Sequence, residues 1–296
     1  MIKIIIPLLL LTTLNLSSFG QGKISMKDLT QQISAELKKH KGSYAVACKD
    51  LTTGEELLIN EHAVFHAAST MKMPVMIEVF KQAAAGKFSL TDSIVIKNEF
   101  KSIVDGSLYS QDSIQDSEHE LYKHIGEKRA IKDLVYDMII ISSNFATNMT
   151  IDVVGAKNVT QTMRDLGAKD ILVLRGVEDA KAFQKGLNNT TTAYDLMLIF
   201  EKMAQGKIVN KTACDAMIKI LLDQKFNSVI PAKLPANVKV AHKTGGLPNI
   251  RHDSGIIFLP DGRKYVLVLL SRDWEEENAN IELLSKISKT IYDNIL

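Results

Sequence analysis

The sequence predicts an α+β protein: an antiparallel sheet built from both chain ends and flanked by helices, with an all-helical domain inserted between its halves. Three observations lead there. Short apolar runs typical of strands lie near residues 44–59 and again from 238 to 270. Apolar stripes at helical spacing fill the stretch between them. The 296 residues also suffice for two packed units with a sizeable core. The expected boundaries are 21–72 and 226–296 for a discontinuous α/β domain, and 73–225 for the inserted helical domain.

Residues 1–20 read as a secretory signal peptide. Lys3 is followed by the apolar stretch Ile4 to Leu16 and the small-x-small site Ser18-Phe19-Gly20, which places cleavage before Gln21. The mature chain is then expected to be periplasmic or secreted, with no stable membrane association, and a monomer. Met26 to His40 carries Leu29, Ile33 and Leu37 on one helical face. Tyr44 to Cys48 and Glu56 to Ile59 form a hairpin around Thr52-Thr53-Gly54. A buried helix then runs from Ser69 to about Ala85 and stops at Gly86. Asn98 to Arg129 is long, polar and irregular, and reads as a loop-rich excursion.

Ile131, Leu134, Val135, Met138 and Ile139 give the next helical stripe, which ends at Ser142-Ser143-Asn144. Two further helices are expected, one through Asn148 to Val154 and one from Lys157 to Leu166. The irregular stretch 175–192 precedes a helix that Thr192 and Asp195 cap and that buries Leu196, Met197, Phe200 and Met203. Thr212 to Asp223 is helical as well. Val238 to Ala241 is a strand. Ile256 to Leu259 and Tyr265 to Leu270 flank the turn Pro260-Asp261-Gly262-Arg263. A last helix carries Leu284, Ile287 and Ile291, and the terminal helices are expected to cover the sheet.

With 36 basic against 34 acidic residues, the charge balance gives no reason to expect a nucleic-acid or anionic-membrane partner. Cys48 falls in a strand and Cys214 in a distant helix, so two buried free thiols are expected. No metal or other cofactor is expected. The seven histidines lack the paired spacing of a zinc site, and His62 and His66 read as structural.

Chemistry concentrates in Ser69-Thr70-Met71-Lys72. Ser69 would stand at a helix N-terminus, where free N–H groups and the dipole favour negative charge, with Lys72 one turn on along the same face. A serine hydroxyl needs a base to take its proton and polar surroundings for the oxyanion, and this stretch offers a candidate for each. Alone it reads better as an N-cap beside a solvated lysine, because Ser-x-x-Lys recurs often by chance. Two further motifs change that: Ser142-Ser143-Asn144, and then Lys243-Thr244-Gly245 with Gly246.

In this order the three motifs resemble the serine β-lactamase and penicillin-binding protein superfamily over essentially the whole mature chain. Glu178, 36 residues after Ser142, is similar to the glutamate that class A β-lactamases carry on an Ω-loop. Asn148 and Thr190-Thr191-Thr192 extend the match. The resemblance implies the family's β-lactamase/transpeptidase-like fold, a small-molecule β-lactam substrate, and a cleft between the two parts of the molecule. It implies that Ser69 attacks the lactam carbonyl, with the N–H groups of Ser69 and Gly246 as oxyanion hole. Either Lys72 or Glu178 acting through water takes the serine proton. Ser142 passes a proton to the leaving nitrogen, and Lys243 supplies positive potential. Thr244, next to Gly245, binds the substrate carboxylate, while Asn144 holds the substrate amide and positions Lys72. Glu178 then activates the deacylating water. Arg251 is the nearby candidate for a carboxylate-binding arginine, at an offset unlike that of the best-known members.

The sequence also departs from the pattern. Ser143 stands where the family usually has a structural aspartate. Ala182 replaces the asparagine that helps to hold the deacylating water. Asn189 replaces the aspartate that pairs with the loop arginine, here Arg175, and the loop is about two residues shorter. Ser110 to Leu121 reads as an insertion. These changes keep a rival open: a DD-peptidase, penicillin-binding or esterase-like serine hydrolase of the same fold with slow or no lactam turnover. A non-catalytic sensory domain and a metal-dependent lactamase fit less well.

Overall fold

The computed structural model describes residues 24–295, so the expected signal segment and its cleavage site lie outside the described residues. Helix α1 (Met26–Leu37) starts at Ser25, whose hydroxyl accepts the Asp28 N–H, and it buries Leu29, Ile33 and Leu37. Strands β1 (Ser43–Asp50) and β2 (Glu56–Ile59) form the expected hairpin. The two-residue strand β3 (Phe65–His66) leads into a 3₁₀ turn over Ala68–Met71, which continues as α2 (Lys72–Ala84). Ser69 therefore sits in a tight turn ahead of the helix.

The stretch read as loop, together with the residues just before it, contains two short strand pairs and a 3₁₀ turn. Strand β4 (Ser93–Val95) pairs with β7 (Lys128–Ala130), β5 (Phe100–Lys101) pairs with β6 (Leu108–Tyr109), and a 3₁₀ turn spans Leu121–His124. Helices α3 (Ile131–Ile140), α4 (Asn144–Val154) and α5 (Ala156–Asp165) follow. A short α6 (Ala180–Gln184) interrupts the Ω-like loop, and β8 (Thr190–Thr191) closes it by pairing with β3. Then come α7 (Ala193–Ala204) and α8 (Lys211–Leu222). The chain finishes with β9 (Lys239–Leu247), β10 (Ile250–Phe258), β11 (Lys264–Arg272) and α9 (Glu277–Ile295).

The main sheet has the order β2-β1-β11-β10-β9 and is antiparallel throughout, so both chain ends contribute strands as the sequence predicts. Strand β11 and most of β1 read as unbroken apolar runs because both faces of the sheet are buried there. Val46, Cys48, Leu267 and Leu269 join the core under α1 and α9. Their neighbours Ala45, Ala47, Val268 and Leu270 join the core that includes Met197 and Phe200 of α7. The terminal helices thus cover one face only. The other is covered by α7, from the middle of the chain. Cys48 and Cys214 are both buried free thiols.

Candidate active site

The edge strand β9 faces the 3₁₀ turn and the helical half across a cleft of about 480 Å³, within the usual range for a small-molecule site. Ser69, Ser142, Asn144, Thr244, Gly245 and Arg251 line it. The first two motifs reach it from constrained stretches of backbone, and the third from the regular strand β9. Ala68, just before the nucleophile candidate, has φ +45°, and Ser142 has φ +58°. Non-glycine residues rarely adopt these values, and where they do the surrounding structure enforces them.

The turn that holds Ser69 is fixed by neutral contacts. The His66 Nδ1 accepts the Ala68 N–H at 3.0 Å, and Thr70 Oγ1 donates to the Ala67 carbonyl at 2.6 Å. His252 Nε2 donates to the His66 carbonyl at 2.9 Å while its Nδ1 accepts the Ser271 N–H at 3.2 Å. Burial pulls His252 down to about 4, which keeps it neutral and structural. Glycine at 245 has a steric cause: a Cβ there would lie 3.2 Å from the Ser69 nitrogen and 3.1 Å from Thr70 Cγ2. At Gly246 a Cβ would press on Arg251 Nη1 at 3.0 Å. Arg251, opposite Gly246 in the β9–β10 register, is ion-paired with Glu277.

Two fully buried lysines meet on one hydroxyl. Lys72 Nζ donates to Ser142 Oγ at 3.1 Å, to the Ser142 carbonyl at 2.6 Å and to Asn144 Oδ1 at 2.8 Å. Lys243 Nζ donates to the same Ser142 Oγ at 3.0 Å and to the Thr244 carbonyl at 3.0 Å. Both lone pairs of that oxygen are engaged, so its own proton is left to donate elsewhere. Burial lowers Lys72 to about 7, against the opposing pull of Asp116 and Glu178. Burial, with repulsion from Lys72, also holds Lys243 well below the usual lysine range.

Glu178 joins this cluster through Asn144, whose Nδ2 donates to Glu178 Oε1 at 2.6 Å. Burial raises its carboxyl above the usual range, and Asp116 adds to that. Its φ is +61°, held by a braced loop. Asn148 accepts the Val177 N–H at 2.6 Å and donates back to the Val177 carbonyl at 3.0 Å. The Asn189 side chain bonds only the backbone of Leu174 and Arg175, while the Arg175 guanidinium goes to the carbonyls of Leu187 and Gly176 and to Asn188. No charge pair closes this loop. Ala182 is fully buried.

A family model described as the β-lactamase enzyme family matches residues 28–295. The chain belongs to that family. A β-lactamase from Bacteroides uniformis is 25% identical over 285 residues, covering 90% of this chain and 91% of the relative. The crystal structure of a β-lactamase from Sphaerobacter thermophilus is 26% identical, with a TM-score of 0.78, covering 91% of this chain and 97% of that one. A variant of PBP-A, solved as an acyl-enzyme complex with penicillin G, is 25% identical, with a TM-score of 0.79, covering 92% and 98%. The resemblance to the class A serine β-lactamases is borne out, and with it the assignment as a hydrolase of that kind.

All ten residues singled out in the sequence lie in or beside this cleft. Two braces of this β-lactamase-family site escaped the sequence reading. Asp179 accepts Ser102 Oγ and the Ile103 N–H, both at 2.9 Å, and so staples the Glu178 loop to the β5–β6 ribbon. Asp116, in the stretch 110–121 read as an insertion, accepts the N–H groups of Asn144 at 2.9 Å and Phe145 at 2.8 Å. The missing carboxylate at position 143 was the available signal for Asp116. For Asp179 there was none, since its partners lie far away in sequence. Replacing Asn148 by Ala frees the Val177 N–H and leaves the Val177 carbonyl to the Tyr109 hydroxyl and Gln111 Nε2 alone. We expect acyl-enzyme breakdown to slow on the order of 10- to 100-fold, because misplacement of a positioned group by about an ångström costs that much. Rapid-quench mass spectrometry reads this directly, and an unchanged rate would contradict the bracing role.

Proposed function

We propose that the protein hydrolyses the β-lactam ring of antibiotics through a Ser69 acyl-enzyme, with deacylation by a water that Glu178 activates. The observation that carries the reading is the chain Lys72–Asn144–Glu178, which ties a near-neutral lysine and a raised carboxyl to the cleft that holds Ser69. Ser69 Oγ attacks the lactam carbonyl carbon and gives its proton to Lys72, or to Glu178 through water. The carbonyl oxygen gathers negative charge against the N–H groups of Ser69 and Gly246. The C–N bond breaks as the Ser142 hydroxyl protonates the nitrogen, and a lysine on that oxygen restores the proton. Lys243, Thr244 and Arg251 receive the substrate carboxylate. Water then attacks the ester carbonyl, its proton passes to Glu178, and Ser69 leaves with a proton.

A second reading has a specific observation behind it: Ala182 offers no amide to hold the deacylating water, and PBP-A shares the fold. Under that reading the adduct persists. A chromogenic cephalosporin separates the two. Sustained colour release over many equivalents, lost in Ser69→Ala, is expected; a burst of one equivalent would favour penicillin binding. We also propose export through residues 1–20, for which mass analysis of the extracytoplasmic protein should give Gln21 as the first residue.

A further inference from the structure

Asp116 is 4% exposed and comes from the insertion that precedes the 3₁₀ turn, yet its carboxylate sits at the start of α4. Oδ1 accepts the Asn144 N–H, and Oδ2 accepts the Phe145 N–H and the Tyr122 hydroxyl, the last at 2.9 Å. The Ser143 hydroxyl, 3.5 Å away, also caps this helix by accepting the Ala146 N–H at 3.0 Å. The first turn of α4 is thus held by a serine of its own and by a carboxylate from another segment. Helix N-termini favour such negative charge.

The residue held is Asn144, whose side chain bridges Lys72 and Glu178. Its backbone cannot shift without breaking the bond to Asp116. The neighbouring insertion residues Gln115 and Ser117 line the cleft, and Ser117 Oγ donates to the Ile141 carbonyl just before the second motif. We infer that Asp116 is a positioning residue for acylation: it replaces, from the insertion, the carboxylate that Ser143 lacks, and fixes Asn144 between Lys72 and Glu178. The insertion is then part of the catalytic apparatus.

The groups that face Lys72 are the carboxylates of Asp116 and Glu178 and the ammonium of Lys243, with Asp112 acting on Glu178. Asp116 raises the proton affinity of Lys72. Removing its charge therefore lowers that affinity, and the limb of the pH profile that follows Lys72 must move to lower pH. This holds whether Lys72 serves as base or as cation.

The inference rests on the acyl-serine reading above. Its test is the rate of Ser69 acylation by benzylpenicillin against pH, followed by intact mass, in the parent, in Asp116→Asn, and in the swap Asp116→Asn with Ser143→Asp. Asparagine keeps the shape and removes the charge. We expect acylation to fall on the order of 10- to 100-fold with its limb displaced to lower pH, as for a misplaced catalytic group. The swap returns a carboxylate to the same helix start and should recover most of the rate and the parent limb. A slower Asp116→Asn with an unmoved limb, or a folded swap that recovers nothing, would overturn the proposal; if Asp116→Asn does not fold, the swap alone decides. A parent that is never acylated would instead overturn the functional reading, and this proposal with it.

Discussion

Glu178→Gln is expected to stall as a Ser69 penicilloyl adduct that the parent clears, with deacylation slowed on the order of 10²- to 10⁴-fold, the usual worth of a general base. The substitution isolates chemistry from folding. Glutamine Oε1 can still accept from Asn144 Nδ2, so the loop keeps its link to the second motif. Burial disfavours the ionised carboxylate, so its contribution to stability falls as pH rises above the ordinary value of 4.5 and is fully unfavourable above the raised folded pKa, a cost that a neutral amide removes. Thermal melting at neutral pH should therefore show a variant no less stable than the parent, while intact-mass kinetics show the trapped adduct. A variant that deacylates at the parent rate would remove Glu178 from the mechanism.

The second large effect concerns Lys72→Met. The side chain is fully buried with three hydrogen bonds, all lost in the variant. Acylation should fall on the order of 10²- to 10⁴-fold, since Ser142 and Asn144 lose their shared donor and Ser69 loses a candidate base. The variant also has a pH signature. In the folded protein Lys72 titrates near 7, against an ordinary value of 10.5, so from about pH 7 to 10.5 the unfolded chain binds the extra proton. Stability contributed at this site therefore rises with pH across that window. Lys243 is shifted in the same direction, so the informative quantity is the difference between parent and variant. Denaturant unfolding of both should show the parent gaining on Lys72→Met as pH rises; parallel curves would mean that Lys72 stays charged in the fold.

The parts legible in the sequence are those in which local pattern and tertiary role agree. The stripe Leu134–Val135–Met138 is the buried face of α3, and Asp261-Gly262 turns β10 into β11. The three motifs were legible because catalysis restricts residue type at fixed spacing. Strand β10 was half missed: only Ile256 onward was read, although it begins at Ile250. Its first half is polar, and these polar groups are buried with partners, since Asp253 accepts the Ile230 N–H at 3.0 Å and meets His242 Nδ1 at 2.8 Å. No periodicity reveals a strand of satisfied polar residues. The ribbons between residues 93 and 130 are two or three residues long, too short to carry a period. Arg175 and Asn189 show another limit. Their side chains do not bond each other: the Arg175 guanidinium goes to the carbonyls of Leu187 and Gly176 and to Asn188 Oδ1, while the Asn189 side chain bonds the backbone of Leu174 and Arg175. Such choices depend on which carbonyls the fold leaves free.

The most direct test of the whole account is a single-turnover mass time course of the parent with benzylpenicillin. An adduct on Ser69 should form, decay, and return free enzyme with hydrolysed penicillin. An adduct that persists unchanged, or a penicillin hydrolysed by Ser69→Ala, would contradict it.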